Sequence, residues 1–476
     1  MKRPPHPPPQ HEVQPRATAY FAVMLVALAA SGCAPVGPDY RPPAIDASAR
    51  WSTQANAPAQ DPAVLAAWWR QFNDPVLDGL VTDALAANLD LATAQAQLRE
   101  ARAQRKLAGA QLGPSVDVST SASRNKSSAQ SGAGAVRNLY SAGFDASWEA
   151  DIFGGTRRGI EAADADVGAS VENLHDVQVS LIAELVTNYI ELRTTEKRLA
   201  IAEANLDSLS ETYDLARWRQ QAGLVSELDV AQARTEVEST RAALPGLRTV
   251  ISQARNRIAV LLDRTPGALQ SRLATTENIP LLREQAAIGI PADTLRQRPD
   301  VRAAERRLAA QTARLGEAEA ARYPSFKLSG SIGLEALTVT ALDNSGAGIY
   351  SLLASVTAPI FDAGRISANI EIADAQLEQA RIAYQAAVKT ALEDVENALV
   401  GVGNASERLR RLIQAATTAR DTVQLAEQQY ATGLIDFLTV LDSQRTLRST
   451  EDELTSSVGD LATAQAQLYK ALGGGW

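Results

Sequence analysis

Three histidines and one cysteine are the whole stock of imidazole bases, thiol nucleophiles and soft metal ligands in 476 residues. His6 and His11 fall ahead of an apolar run near the start, so only His175 is left for general-base or ligand duty. One imidazole with no cysteine partner leaves nothing to activate a nucleophile, and neither G-x-S-x-G nor the phosphate-cradling G-x-x-x-x-G-K-[ST] occurs. A lone cysteine also excludes an intrachain disulfide and any multi-thiolate metal site. His175 sits mid-helix among polar neighbours and reads as a solvated face residue, as does the charge run Arg408–Arg411. The expectation is a protein that is not an enzyme and takes no cofactor.

The thiol is placed for acylation instead. Lys2, Arg3 and Arg16 form a basic stretch, Ala19 to Ala30 is apolar but too short to span a bilayer, and Ser31-Gly32 lead into Cys33. This order resembles a bacterial lipoprotein signal, although Ala30 stands where leucine is commoner. In that reading residues 1–32 are removed and Cys33 carries a covalent lipid; Ala34, not aspartate, directs the product to the outer membrane. Removal takes away Lys2, Arg3 and Arg16 against Glu12, and changes the net charge of −9 to about −11. So acidic a chain is a poor partner for nucleic acid, which needs clustered Lys and Arg.

The elements that carry these residues come in two copies. PSVDVSTS at 114–121 returns as PSFKLSGS at 324–331, and GLVSELDV at 223–230 as GLIDFLTV at 433–440, both at an offset of 210. Asp90, Ala94 and Leu98 align with Asp300, Ala304 and Leu308 in the same register, while IFGGTR at 152–157 meets IFDAGR at 360–365 at 208. Repeat 1 covers 81–265 and repeat 2 covers 298–476, joined by a proline-containing linker, 266–297. Each repeat reads as a helix (81–112; 298–322), a β-hairpin (114–149; 324–360), a long proline-free helix (157–222; 365–432), a glycine turn and a returning helix. Pro245-Gly246 predicts a kink or break in the first returning helix.

Period-two alternation marks the hairpins. Val116, Val118, Thr120 and Ala122 alternate with serines and Asp117; Tyr140, Ala142, Phe144, Ala146 and Trp148 do the same, as do Phe326, Leu328, Ile332 and Leu334, then Tyr350, Leu352, Ala354 and Val356. Ten residues of such alternation suit a strand apolar toward lipid and polar toward a lumen. Four strands cannot close a barrel, and an open edge is forbidden in lipid, so copies must associate as a dimer or a trimer. The long helices would each run about 100 Å at 1.5 Å per residue. Their alanine-rich packing accounts for a chain that is 45% hydrophobic yet only 5% aromatic.

CAPVGPDYRPP at 33–43, AAWWRQFNDPVLDGLV at 66–81, ASWEADIFGGTRR at 146–158, RPDVRAAERRLAA at 298–310 and the terminal ALGGGW resemble the outer-membrane lipoproteins of resistance-nodulation-division efflux systems. These are TolC-like factors of the NodT/OprM type. The resemblance covers nearly all of the chain after Cys33, with 33–80 as the lipidated N-terminal segment. It implies a homotrimer, mainly α with membrane β, in which a twelve-helix periplasmic α-barrel continues into a twelve-stranded transmembrane β-barrel. It implies an exit duct for drugs or other toxic small molecules, docked to a periplasmic adaptor and an inner-membrane proton-driven pump. A duct for exported polypeptides or for metal ions is the alternative.

The resemblance also assigns residues. Asp442 falls where relatives place an acidic constriction ring, and Leu438 one turn earlier, where an apolar ring closes a pore by dewetting. Tyr430 and Asp229 match a pair that hydrogen-bonds the inner helix to the outer in relatives. Gly223, Leu224, Gly433 and Leu434 match turns offered to adaptor tips. Ile435 and Thr439 replace the Arg and Asp of the founding member's latch, which moves the expected weight of gating onto Leu438 and Asp442.

Overall fold

The computed structural model describes residues 35–44, 51, 62–130, 134–274, 278–282 and 291–476; residues 1–32, expected to be a signal segment, and Cys33 lie outside these. The elements in chain order are α1 (Pro62–Ala66), a 3-10 turn (Trp68–Phe72), α2 (Pro75–Ala87), α3 (Leu89–Ala110), β1 (Ser115–Lys126), β2 (Val136–Ala150), α4 (Gly155–Gln221) and α5 (Glu227–Leu261). Then follow α6 (Pro291–Gln297), α7 (Pro299–Ala320), β3 (Ser325–Ala336), a second 3-10 turn (Val339–Ala341), β4 (Gly348–Thr357), α8 (Arg365–Ala431) and α9 (Phe437–Ala471). Helices α4 and α8 have 67 residues each, about 100 Å of helix. The chain divides into two compact units, one of residues 1–41, 101–167 and 307–381, the other of 42–100, 168–306 and 382–476.

The first unit is built on one antiparallel sheet in the order β1-β2-β3-β4, so the two hairpins join through β2 and β3. The register lines up the alternation across all four strands. Val118 faces Phe144, Phe144 faces Ile332 and Ile332 faces Tyr350, an apolar row whose four side chains are exposed. The other face is a row of hydroxyls and acids: Ser119 Oγ donates to Asp145 Oδ2 at 2.6 Å, and Ser121 with Ser141 and Ser331 with Ser351 are hydroxyl pairs at 2.8 Å. The outer edges of β1 and β4 meet no further strand among the described residues.

The segment that follows Cys33 is held in this unit. Val36 N donates to Phe153 O, and the buried Arg158 guanidinium donates to Val36 O, Gly37 O, Asp39 and Glu161. Gly37 has φ +93°, and a Cβ there would sit 2.4 Å from Gly316 Cα, so only glycine fits both the dihedral and the contact.

The second unit holds the main core, which contains a cluster of aromatic rings. Trp68 stacks on Tyr469 at 5.1 Å and meets Trp69 and Phe72 edge-on, among Leu77, Ile182, Leu185 and Ile258. Tyr189 donates to Asp74 Oδ2 at 2.7 Å while Asp74 Oδ1 caps α2. Burial and that carboxylate push the Tyr189 phenol up. A scarcity of rings thus does not mean an aromatic-free core.

At four places the structure adds to or departs from the expected elements. The helix over 81–112 is two helices, because Asn88 leaves the helical region; its Oδ1 accepts from Leu91 N and its Nδ2 donates to Leu261 O. Of the kink or break expected at Pro245-Gly246, the break is absent: α5 runs through the proline. An interior proline costs about 3 kcal/mol; Leu244, Thr240 and Ile251 of the same helix are buried. The linker 266–297 is partly core: Leu269, Leu273 and Leu282 are buried, and the Gln465 amide exchanges two hydrogen bonds with the Leu282 backbone. His175 is not a solvated face residue; its ring stacks on Trp476 at 4.3 Å and its Nδ1 lies 3.3 Å from Glu172 Oε2.

Candidate gate at the paired helix turns

The turns between α4 and α5 and between α8 and α9 are built alike. Leu224 N donates to Arg219 O and Gly223 N to Gln220 O, with Gly223 at φ +70°; Leu434 N donates to Gln429 O and Gly433 N to Tyr430 O, with Gly433 at φ +74°. Each is a Schellman cap, which satisfies the last helix carbonyls through a left-handed residue that glycine adopts without strain. Ser226 then caps α5 in a reciprocal box with Asp229, and Asp436 caps α9 by accepting from Thr439 N and Oγ1. The Thr439 hydroxyl and then its amide hold the Asp436 carboxyl below the usual carboxylate range.

This fixes where each sequence-assigned residue stands. Leu224 and Leu434, at the tips, are about three-quarters exposed, with Trp218 and Leu228 also exposed close by in sequence on α4 and α5. Behind the tips Ala216, Ala233, Phe437 and Leu441 form a small core against which Tyr213, Val230 and Tyr430 pack. Leu438 is not part of it and is 40% exposed; Asp442, one turn on, is exposed as well.

Tyr430 and Asp229 are not brought together. The Asp229 carboxylate accepts from Ser226 N and Oγ at 2.9 and 2.8 Å, closing its own capping box. The Tyr430 ring lies under the Arg219 guanidinium at 4.7 Å and 5.5 Å from Phe437. The hydrogen bond that the resemblance implies between them is therefore not formed within the chain. A cation–π contact from Arg219 joins Tyr430 to α4 in its place.

The sequence reading missed a group of charges below the turns. Glu236, buried on α5, accepts from Arg445 Nη2 at 2.6 Å and stands 3.4 Å from Arg448 Nη1; Arg448 also donates to Thr240 Oγ1 at 2.7 Å. Arg445 Nη1 donates in turn to Asp442 Oδ1 at 3.0 Å. Asp442 is thus half of an ion pair on its own helix. The spacing Asp442 to Arg445, one helical turn, was the available signal; the burial of Glu236 had none.

Residues 80–264 and 290–474 each match the outer membrane efflux protein family, 210 residues apart like the internal repeat. The chain is similar to Nodulation protein T of Rhizobium leguminosarum bv. trifolii, 32% identical over 469 residues that cover 96% of this chain and 97% of that one. It is 32% identical to the solvent efflux pump outer membrane protein SrpC of Pseudomonas putida over 466 residues, 95% and 97% of the two chains. Among solved structures, the outer-membrane channel OprN superposes with a TM-score of 0.88 at 37% identity, covering 93% of this chain and 99% of that one. CusC superposes at 0.82 with 28% identity, over 92% and 99%.

Proposed function

The chain belongs to the outer membrane efflux protein family, and on that premise we propose that three copies of it form the exit duct of a tripartite pump. It is an outer-membrane efflux protein with the fold of the TolC-like channels. The observation that carries the trimer is the sheet: four strands, apolar on one face and polar on the other, with two open edges. Three such sheets give twelve strands and a closed barrel that leaves no edge in lipid.

In this reading the apolar row faces lipid, the hydroxyl row faces water, and α4, α5, α8 and α9 line a periplasmic duct. Leu438 and Asp442 ring its entrance, with Arg445 beside Asp442, so the ring alternates charge rather than being purely acidic. The exposed Leu224 and Leu434 tips meet the adaptor, and an inner-membrane proton-driven pump supplies the energy. Cys33 carries lipid and anchors the chain. Relatives named for solvent, toluene and antibiotic efflux support small apolar or amphiphilic toxicants as the cargo.

The test is a pair of measurements on purified protein. Native mass in detergent should equal three chains, and insertion into a planar bilayer should give discrete conductance steps. A monomer without conductance would overturn the reading. Loss of the gene should also sensitise the host to organic solvents.

A further inference from the structure

We propose that Ile360-Phe361 is a docking segment, seated on Leu112–Val116 of a second copy of this chain. The proposal rests on the association of copies argued above and adds the residues that make it. It starts from a broken symmetry between the repeats. IFGGTR at 152–157 and IFDAGR at 360–365 are equivalent, yet their first two residues have opposite surroundings. Phe153 is half-buried, stacked on Tyr323 at 4.7 Å and 6.4 Å from Phe326, with Val36 N bonded to its carbonyl. Ile360 and Phe361 are 94% and 91% exposed.

The partners of Phe153 say what is missing. Tyr323 and Phe326 lie at the start of β3, the strand that pairs with β2 just before Phe153. Moved back by the repeat offset of 210, with Pro324 on Pro114, they become Gly113 and Val116 at the start of β1. β1 is the free edge of the sheet at one side, and β4, which ends three residues before Ile360, is the free edge at the other. The relation of β2 to β3 can recur as β4 to β1 only when β1 belongs to another copy. That makes a heterologous, head-to-tail contact, which closes into a ring when the rotation allows.

The surfaces suit each other. Val116 and Leu112 are exposed, and Gly113 has no ring where Tyr323 has one, which opens the backbone to Phe361. The docking segment is presented by an ordered turn, since Asp362 accepts from Gly364 N at 3.0 Å and Ile366 N at 2.8 Å. Lipid is the rival occupant for two exposed apolar side chains. Phe153, the one copy of this motif whose neighbours are present, packs on protein.

The experiment is a short thiol-specific crosslink on outer membranes that contain Phe361→Cys combined with Val116→Cys. A ladder of dimer and trimer on a denaturing gel is expected, with neither single variant giving one. Phe153→Cys with Phe326→Cys, the equivalent pair inside one chain, calibrates the reagent and should react without a mass increase. The native mass of the double variant is read separately. Three chains with no ladder would overturn the docking segment and leave the trimer standing, while a monomer would overturn both. A nitroxide on Phe361→Cys that meets oxygen as freely as one on Ile332→Cys, from the sheet's apolar face, would assign the segment to lipid and also overturn the proposal.

Discussion

Arg445 of α9 donates to Glu236 of α5 across 2.6 Å, and its other amino group reaches Asp442 at 3.0 Å. One guanidinium therefore ties α9 to α5 and pairs with Asp442 on its own helix. Arg448 stands on the second oxygen of Glu236. Both arginines of α9 thus meet one buried carboxylate of α5, whereas Tyr430 and Asp229 do not meet.

Glu236→Gln should loosen that tie. Breaking a buried pair costs about 3–5 kcal/mol, but both arginines are partly exposed and solvent returns much of this, leaving about 1–2 kcal/mol. Thermal unfolding of the purified protein should show that loss, and single-channel conductance should rise. Lower stability with unchanged conductance would remove Glu236 from the gate and leave it a purely structural residue.

Replacing Leu438 and Asp442 together with alanine should raise conductance further, because an apolar constriction and a charged one are both removed. Neither side chain belongs to the core of Ala216, Ala233, Phe437 and Leu441, so folding should be little affected. Conductance equal to that of the unaltered protein would sink the assignment of both residues.

Cys33→Ser should abolish incorporation of labelled palmitate. The Arg158 clamp on Val36 and Gly37 does not involve the thiol and should keep its place in the fold. Label retained in the variant would show that lipid is attached elsewhere.

Acid should act in a defined direction at Glu317. Burial raises its carboxyl pKa, against a smaller opposite pull from Arg314, and an added Cβ on Gly159 would lie 3.4 Å from its Oε1. A carboxyl whose folded pKa is raised binds its proton more tightly folded than unfolded. Its ionisation therefore penalises the folded state above the raised value, and the penalty is gone below the ordinary glutamate value. Glu317→Gln should raise the unfolding midpoint at pH 8, and the advantage should shrink to nothing by about pH 4. A constant gain across that range would point to packing instead of charge.

Local patterns were legible and distant pairings were not. The hairpins, the long helices and the glycine turns follow from period two, the absence of proline and left-handed φ, all short-range properties. The β2–β3 pairing, which brings Ala142 opposite Leu334, joins residues nearly two hundred positions apart and has no local sign. Glu236 reads in sequence as an ordinary helix acid; only the approach of Arg445 and Arg448 makes it a buried one. Pro245 shows the reverse, a strong local signal that does not end its helix. Trp68 was visible as part of a family motif, yet its stacking on Tyr469, at the far end of the chain, makes it a centre of the core.

The sheet's two faces give the sharpest comparison. Ile332 stands on the apolar row between Phe144 and Tyr350, and Ser331, its neighbour in sequence, stands on the polar row between Asp145 and Ser351. An arginine at the middle of a lipid-facing row costs about 2–4 kcal/mol. On the polar row the same arginine would meet the Asp145 carboxylate and water. Ile332→Arg should therefore cut the yield of assembled trimer in outer membranes severalfold, while Ser331→Arg should assemble at close to the unaltered level and conduct anions more readily. Assembly lost with Ser331→Arg and kept with Ile332→Arg would mean that the hydroxyl row, not the apolar one, faces lipid, and the barrel reading would have to be turned inside out.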